Sequence, residues 1–487
     1  MRRVSNGFPS VSFGNTFRKC RDRPRPFKKR LLLASDLGEV GGGKDQKLVA
    51  GTPVVFCNDS NCMKLLVFAH TPPPLHGQSY MLQLMLQGFG GDQRQPKPTT
   101  PGNSAHGIEC YHVNTRLSKT LEDIGEFHGT KLVKLLFYCL KAVWFRFRYG
   151  VENFYYIPAP GKSSALYRDW LVLLICRPFF KRLILHWHAA GLGKWLETSV
   201  QIRARSLTYQ LAKNADLSIV LSRYNISDAE KLLPQRIRVV SNGIPDPCPD
   251  FRPKLLPRRL ARFAAREKLL AGRTLTAEDL HETGGDPHIV RILFLAHCMT
   301  EKGVFDAAQA VVLANRTLTE QQSSVSIKLM IAGTFVSVEE RARFDSLLAK
   351  PEFERAVEYL GFVSGEGKER ALQQADLFCF PTYYLGENQP VNLIEAMAHG
   401  LPIITTRWRS LPEMFPGDYP GLVSIKSPDK IAAAILNVMT QETGEGFRQM
   451  FLARFTMEAH LTKLAEAITA TENPASTSQT SLAGKTT

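Results

Sequence analysis

Two carboxylates with a fixed separation are the first residues in this chain that suggest chemistry. Glu387 and Glu395 have seven residues between them, within the stretch GENQPVNLIEAMAHGLPIITT that covers residues 386–406. The first lies in a predicted loop rich in Gly, Asn, Gln and Pro, and the second lies one turn inside the helix predicted to follow. Placed in this way, both carboxylates can accept hydrogen bonds from the hydroxyl groups of one polyhydroxyl ligand. The ordinary alternative is a solvated loop glutamate followed by a helix-capping one.

The backbone between the two glutamates suggests a site for an anion. The amides of residues 388–392 lead into the N-terminus of the predicted helix, and unpaired amides at a helix N-terminus stabilise a phosphate. A sugar attached to a phosphate would therefore meet complementary groups for both of its parts in this stretch.

Strands and helices alternate along the chain and predict where this stretch lies in the fold. Short apolar strands are predicted at 64–69, 107–113, 153–157, 182–185, 217–221 and 238–240, and again at 290–296, 327–332, 357–360 and 377–380. Helical segments separate them, which indicates parallel sheets with helices on both faces. We therefore predict an α/β protein with two doubly wound, Rossmann-like domains. Ligands of such sheets bind beyond the carboxyl ends of the strands, so two facing domains would share a cleft.

Interruptions of this alternation give the domain boundaries. We expect an N-terminal domain over 63–245, a proline-rich and basic linker or insertion over 246–288, and a C-terminal domain over 289–445. A helix over 446–473 is expected to return to the first domain, and a Ser/Thr-rich tail over 474–487 is expected to be disordered.

The distribution of charge along the chain bears on whether the protein binds nucleic acid or anionic lipid. The formal charge of the 487 residues is +16, but residues 1–30 hold ten Arg or Lys and one Asp, so this segment carries +9 and the rest +7. The basic segment has three interpretations: an arm for nucleic acid or anionic lipid, a transit peptide, or sequence that precedes the true start at Met63. We favour the last, and expect residues 1–62 to be an extension outside the fold. The rest of the chain shows no zinc-finger or aromatic–basic sheet motif, which argues against a nucleic-acid partner.

The cysteines and the apolar segments indicate in which cellular compartment the protein resides. The nine cysteines are scattered along the chain, which is typical of reduced cytosolic thiols. No uncharged apolar run approaches the length of about 18 residues that a membrane span requires, and no signal-peptide segment follows the N-terminal arginines. We therefore expect a cytoplasmic protein.

The stretch 386–406 resembles the signature of retaining glycosyltransferases with the GT-B fold, a large family that includes sucrose synthases and bacterial lipopolysaccharide and mannosyl transferases (glycosyltransferase family 4-like, group 1). That signature is E-x7-E followed by A-M-A-x-G-x-P-[VI]-[VI]-[AT]-[ST]. Three further segments are similar to family motifs: ADLFCFPTYY at 375–384, YLGFVSGEGKERALQQ at 359–374 and NGIPDP at 242–247. The resemblance covers roughly residues 63–470.

The resemblance implies an enzyme that moves a hexose from a UDP- or GDP-linked sugar to an acceptor hydroxyl with retention of configuration, in the synthesis of cell-surface polysaccharide or glycolipid. Three residues would carry the reaction. Glu387 would bind the donor sugar or stabilise charge at the reacting carbon, Lys302 in MTEKG would bind the diphosphate, and His188 would lie near the donor sugar. The ammonium group of Lys302 would take the place of Mg²⁺, so we expect no metal and no cofactor.

Further residues would complete the donor site by the same resemblance. Glu395 would hold the ribose of the nucleotide. The remaining donor-binding positions are Gly77, His297, Gln389, Pro390, Val391 and Val363.

Two positions depart from the family pattern. His297 stands where the family usually has an arginine that binds the diphosphate, and a neutral histidine cannot form a bidentate clamp. Arg223 is a candidate to compensate. His76 replaces the first of two glycines, of which Gly77 matches the second. Two alternatives stay open for this reason: a GT-B nucleotide-sugar epimerase or hydrolase, and a non-catalytic, degenerate homologue.

One predicted helix suggests what kind of acceptor the protein uses. Residues 131–150, KLVKLLFYCLKAVWFRFRYG, mix cations with Phe and Trp. Either this helix rests on an anionic bilayer, as a lipid-linked acceptor would require, or it packs on the core and exposes a basic stripe. The expected partners are a nucleotide-sugar donor and a carbohydrate or lipid-linked acceptor, and peripheral contact with the inner face of the membrane is left open.

Overall fold

A computed structural model describes residues 62–73, 76–95, 106–117, 129–158 and 161–470. The expected N-terminal extension, apart from its last residue, and the expected C-terminal tail lie outside these ranges, so both expectations stay predictions.

The first sheet has six parallel strands in the order β2-β1-β3-β4-β5-β6. Its strands are β1 (Met63–Ala69), β2 (Ile108–Asn114), β3 (Asn153–Tyr156), β4 (Arg182–Trp187), β5 (Leu217–Val220) and β6 (Ile237–Val239). The helices of this domain are α1 (Gly77–Gly88), α2 (Gly129–Tyr149), α3 (Ser163–Cys176), α4 (Leu192–Ser199), α5 (Ile202–Ala212) and α6 (Ile226–Glu230). Leu65, Leu66 and Val67 of β1 are fully buried although their side chains alternate between the two faces, because helices cover both faces of the sheet.

The second sheet also has six parallel strands, in the order β12-β11-β10-β7-β8-β9. Two helices precede it, α7 (Leu256–Leu270) and α8 (Ala277–Thr283). Its strands are β7 (Ile289–Leu295), β8 (Ser326–Ala332), β9 (Val357–Gly361), β10 (Leu377–Phe380), β11 (Ile403–Thr406) and β12 (Leu422–Val423). The remaining helices are α9 (Val304–Glu320), α10 (Val338–Leu348), α11 (Pro351–Ala356), α12 (Gly365–Gln374), α13 (Val391–Ala398), α14 (Pro428–Val438), α15 (Gly444–Arg454) and α16 (Met457–Thr469). The prediction of two doubly wound α/β domains is confirmed.

The last helix packs against the first sheet. Leu461 and Leu464 of α16 join the buried cluster that contains Ile219 of β5. The chain segments that cross between the domains are also paired: the amide of Ile244 donates to the Phe455 carbonyl over 2.9 Å, and the Met457 amide donates to the Ile244 carbonyl over 2.8 Å. These bonds join the two crossing segments where they enter and leave the C-terminal domain.

A buried charge cluster fixes α7 to the second sheet. Arg262 and Arg266 of α7 lie 3.0 and 2.5 Å from the carboxylate of Asp376, and all three side chains are less than a tenth exposed. The same carboxylate accepts a hydrogen bond from the amide of Arg291 at the neighbouring strand, over 2.9 Å. Burial lowers the pKa of Arg262, and Asp376 opposes that shift. The carboxylate is therefore the counter-charge on which two buried guanidinium groups depend.

We expect Asp376→Asn to lower the free energy of unfolding by about 3–5 kcal/mol, because removal of one partner leaves buried charge unpaired. The matched control is Asp345→Asn, which removes the exposed partner that Arg341 holds at 2.9 Å, and should change the free energy of unfolding little, because water and salt screen an exposed pair. Urea denaturation followed by circular dichroism measures both changes. Equal losses of unfolding free energy in the two variants would show that the buried cluster stabilises the fold no more than an exposed ion pair does.

Candidate active site

Two neighbouring strands deliver the main candidate residues to one edge of the second sheet. β7 ends at Leu295, and the loop after it carries His297 and Lys302; β10 ends at Phe380, and the loop after it carries Glu387. Since these strands are parallel and adjacent in the sheet, both loops emerge at the same carboxyl edge, where ligands of such sheets bind.

Lys302 and Glu387 form an ion pair at this edge. The ammonium nitrogen lies 2.7 Å from a carboxylate oxygen, and the side chains are 16% and 8% exposed. The Thr382 hydroxyl donates a hydrogen bond to the same oxygen over 3.0 Å. The ammonium also lies 4.6 Å from the centroid of the Tyr384 ring, a cation–π contact. Two of the predicted catalytic residues are thus in direct contact, and each supplies the charge that the other needs at low exposure.

A left-handed glycine sets the position of Lys302. Gly303 has a φ of 82°, and a Cβ built on it would lie 2.4 Å from the carbonyl oxygen of Pro381. Only glycine tolerates both the dihedral angle and this approach. The turn that carries Lys302 can therefore press against the loop after β10, which brings the ammonium to Glu387.

The second glutamate of the signature has a different cation. Glu395, on α13, lies 2.6 Å from the ammonium of Lys368 on α12. Burial opposes the charge of Lys368, but the Glu395 carboxylate outweighs burial and raises the pKa of this lysine. Tyr80 of α1 is a further neighbour, since its pKa is raised first by burial and then by Glu395. Sequence reasoning missed Lys368, although it lies in the segment 359–374 that was singled out.

The loop between the glutamates is held by the first domain. The side-chain oxygen of Gln389 accepts a hydrogen bond from the Asn242 amide over 2.5 Å, and the Gln389 carbonyl accepts one from the Asn242 side chain over 2.9 Å. The Ser410 hydroxyl donates to the carbonyl of Asn388 over 2.5 Å. Pro390 is the N-cap of α13, in which Val391 is the first residue. The predicted phosphate-binding segment is therefore ordered by contacts from two other segments.

His188 belongs to a group of buried histidines in the first domain. His188 follows β4, and its ring centroid is 4.3 Å from that of His186, as the alternation of side chains along a strand predicts. His186 in turn bonds to the Tyr155 hydroxyl through Nδ1. Burial lowers the pKa of His188 to about 3, assisted by His460 and His76. His188 can donate or accept a hydrogen bond at neutral pH, but it supplies no charge.

The two departures from the family pattern lie near each other. The pKa of His297 is lowered by burial and then by Lys302, so this residue is neutral beside the ion pair. The pKa of His76 is lowered to about 4 by burial, then by His70 and His297, which places His76 within electrostatic reach of His297. His76 also caps α1, because its Nδ1 accepts a hydrogen bond from the Ser79 amide over 3.4 Å, and its Nε2 lies 2.8 Å from that of His70.

Several predicted residues have no described contact with the Lys302–Glu387 pair: His188, Glu395, Gln389, Pro390 and Val391 of those described above, and Gly77, Val363 and Arg223. Gly77 begins α1, and a Cβ there would meet nothing within 4 Å. Val363, which follows β9, is half-buried against the core of the second domain. Arg223 lines a different cavity of about 320 Å³ together with Gln389 and Glu413. The amide of Arg223 donates to the Glu413 carboxylate over 2.8 Å, which links the two domains.

Among the residues that the structure describes, one group could hold a metal ion. The ligand atoms of Cys248, Glu369 and His399 all lie within 4.8 Å of one another. The ring nitrogens of His399 already have partners, at 2.8 Å from the Glu395 carbonyl and 2.9 Å from the Glu369 carboxylate. This cluster does not include Lys302 or Glu387, so the expectation of a reaction without a metal stays a prediction.

Comparison with solved structures identifies the fold. The crystal structure of Anabaena Alr3699/HepE in complex with UDP and glucose aligns with a TM-score of 0.54 at 12% identity, over 83% of this chain and 99% of that chain. Sucrose-phosphate synthase from Thermosynechococcus elongatus aligns with a TM-score of 0.55 at 16% identity, over 83% and 98%. The chain has the GT-B fold, as predicted: two Rossmann-like domains that face each other across a cleft.

Comparison of sequences finds a match over part of the chain. Residues 286–452 match the family model described as glycosyl transferases group 1. The amylovoran biosynthesis glycosyltransferase AmsK of Erwinia amylovora is 27% identical over 173 residues, which are 35% of this chain and 40% of that protein. The chain matches less than half the length of the curated relatives to which it is similar. The residues that match the family model lie in the second domain and include both glutamates and Lys302.

We expect Gly303→Ala to lower the melting temperature and to weaken the binding of UDP or GDP, because the added Cβ drives Lys302 away from the loop after β10. Gly272→Ala is the matched control: its φ is 70°, but a Cβ there meets nothing within 4 Å. The control should cost only the backbone strain of about 1–2 kcal/mol. Thermal denaturation and titration calorimetry measure the two effects. If both variants melt alike and bind alike, the close approach of Gly303 does not position Lys302.

Proposed function

We propose that this protein is a retaining glycosyltransferase, which moves a hexose from a UDP- or GDP-linked donor to an acceptor hydroxyl in the synthesis of cell-surface polysaccharide or glycolipid. The observation that carries the proposal is the Lys302–Glu387 pair at the carboxyl edge of the second sheet. A nucleotide sugar offers an anionic diphosphate to a lysine and hydroxyl groups to a carboxylate. The group 1 match of residues 286–452 supports this reading, and so do the UDP and glucose bound by Alr3699/HepE.

In the proposed function, a bound donor replaces both contacts of the ion pair. In the free protein each charge compensates the other at low exposure. On binding, the diphosphate takes Lys302 and the sugar hydroxyls take Glu387, so both groups stay compensated. Amides at the start of α13 add hydrogen bonds to the distal phosphate, from Gln389 and Val391; Pro390 contributes none, because proline has no N–H.

The nucleotide would extend toward the second glutamate. Glu395 accepts hydrogen bonds from the ribose hydroxyls, and Lys368, 2.6 Å away, orients its carboxylate. The pairing of these two residues, separated from the Lys302–Glu387 pair, gives each part of the donor its own carboxylate.

In the proposed reaction, the bond between the anomeric carbon and the phosphate oxygen breaks, and its electron pair leaves with the nucleoside diphosphate. Lys302 stabilises the negative charge that develops on the leaving oxygen. The acceptor oxygen bonds to the oxocarbenium-like carbon on the face that the diphosphate left, and its proton passes to the leaving phosphate. His188, neutral in its buried position, offers a hydrogen bond near the sugar. We expect neither a metal ion, nor a cofactor, nor a dedicated protein base.

Two further candidates are kept because of specific observations. A GT-B nucleotide-sugar epimerase or hydrolase would use the same donor contacts without an acceptor, and release of free sugar whichever acceptor is supplied would indicate it. A non-catalytic homologue is favoured by His297, which carries no charge where the family pattern has an arginine.

We propose a cytoplasmic location and an acceptor that is a carbohydrate or is lipid-linked. Buried cysteines such as Cys110 and Cys379 are thiols whose pKa values burial raises, which suits a reducing compartment. Among the described helices, none is long and apolar enough to cross a membrane.

Removal of the proposed leaving-group cation tests the function directly. Lys302→Ala should lower the turnover number by on the order of a hundredfold, because a lost transition-state charge contact costs about 3 kcal/mol. Glu387→Gln should also lower turnover, whereas Glu395→Ala should mainly weaken nucleotide binding. The matched controls are Lys328→Ala and Glu358→Gln, an exposed pair of the same domain at 3.2 Å. Transfer or slow hydrolysis of UDP-, GDP- and ADP-sugars is the assay, and an unchanged rate in Lys302→Ala would refute the assignment.

His297→Arg separates a working site from a degenerate one. If His297 is a tolerated substitute, the added guanidinium should tighten the binding of the nucleoside diphosphate or leave it unchanged, since it can form two parallel hydrogen bonds to phosphate. Calorimetric titration of UDP and GDP into both proteins measures this. If the natural protein binds no nucleotide sugar and His297→Arg does, the natural protein is the degenerate homologue and the transferase proposal is wrong.

A further inference from the structure

Helix α2 carries large apolar side chains on the face that points away from the protein. Its inward face is formed by Leu135, Cys139, Ala142 and Phe145, all buried in the core of the first domain. On the opposite face five apolar side chains are largely exposed: Val133 (67%), Phe137 (61%), Leu140 (64%), Trp144 (54%) and Phe147 (68%). Contiguous exposed apolar surface of this kind marks an interaction site.

The spacing places these five side chains in one stripe. Their positions advance by four, three, four and three residues, so at 100° per residue they remain within one side of the helix. The stripe continues onto the neighbouring turn, because the Phe147 ring meets the exposed Phe179 ring edge to face at 6.0 Å. We call the five residues of α2 and Phe179 the outer apolar face.

Positive charge lies beside the outer apolar face. Lys134, Lys141 and Arg148 are seven residues apart, which puts them along one flank of the stripe. The sequence of α2 contains no aspartate or glutamate. A helix with Trp, Phe and Leu on one face and Lys or Arg beside it has the chemistry of a helix that lies at a membrane surface.

We propose that the outer apolar face docks on an anionic lipid bilayer. The charges favour lipid over a second copy of the chain: two such helices packed together would bring their cations close to one another, and neither helix has an acidic residue to pair with them. Anionic headgroups supply that counter-charge, while the acyl boundary takes up Trp144 and Phe137.

The orientation of α2 connects this surface to the cleft. The helix joins β2 to β3, two strands of a parallel sheet, so it runs antiparallel to them and begins at their carboxyl edge. That edge is where the cleft lies. Insofar as the proposed transferase function holds, the acceptor is therefore lipid-linked, and is presented to the first domain by the bilayer that α2 contacts.

The test is sedimentation of the full chain with vesicles of phosphatidylcholine alone or mixed with phosphatidylglycerol. We expect binding to the mixed vesicles, weakened by salt.

The triple variant Phe137→Ser/Leu140→Ser/Trp144→Ser should lose about tenfold or more of this affinity, and Lys134→Glu/Lys141→Glu should lose the preference for anionic lipid. The matched control is Ile202→Ser/Val338→Ser, which removes apolar side chains that are 71% and 82% exposed elsewhere and should bind like the natural chain.

A local readout supports or overturns the proposal independently of affinity. Trp144 fluorescence, obtained as the difference between the natural chain and Trp144→Phe, should shift to the blue and be quenched by brominated lipid. Binding that survives both sets of α2 substitutions would arise elsewhere, for example from the basic residues 1–30, and would overturn the proposal. So would a dimer in light scattering that the triple variant dissociates, with no vesicle binding.

The fate of the docking proposal can be separated from that of the transferase proposal. UDP and GDP binding by the α2 variants in solution should equal that of the natural chain, because α2 holds none of the proposed donor residues. Vesicle binding without nucleotide-sugar binding would refute the transferase function and leave docking intact, whereas nucleotide-sugar binding without vesicle binding would refute docking alone.

Discussion

A carboxylate that is withdrawn from water has to be compensated, and in this protein that requirement ties the fold to the site. Glu387 is 8% exposed and meets the ammonium of Lys302 and the hydroxyl of Thr382. The contact exists because β7 and β10 are parallel neighbours whose following loops emerge together. Gly303 then allows one loop to approach the other closely enough. The order of the strands, one left-handed glycine and the ion pair are therefore mutually dependent, since loss of any of them would leave charge without a partner.

The candidate residues of the two domains differ in their kind of polar group. The second domain provides charged groups that are paired in advance, Lys302 with Glu387 and Lys368 with Glu395. The first domain provides imidazoles such as His188, which burial keeps neutral. A neutral ring does not compete with Lys302 for an anion. In the proposed function, an anionic donor would be held chiefly by the second domain, and the first domain would offer hydrogen bonds to a sugar or an acceptor hydroxyl.

The first domain also carries the exposed apolar surface. Helix α2 uses one face for the core and turns Phe137, Leu140 and Trp144 outward, a costly arrangement in water unless another surface covers it. The inter-domain contacts include polar ones, as between Asn242 and Gln389, and apolar ones, since Met81 and Leu84 of α1 lie in the core cluster of the second domain. The outer apolar face of α2 is separate from both.

The sequence by itself determined the local structure. Apolar runs bounded by loops predicted the strands, and the strand predicted at 182–185 is observed at Arg182–Trp187, because strand patterning depends on nearby residues. The signature around Glu387 likewise indicated a site before any contact was known. Lys302 was also named from the sequence, but its contact with Glu387 was not predicted: the two residues are 85 positions apart, and such a contact follows from strand order rather than from spacing. The cationic helix at 131–150 shows the same limit. Its amphipathic spacing does not tell which of its two apolar faces is buried. Packing against the first sheet decides that the stripe with Phe137, Leu140 and Trp144 faces outward.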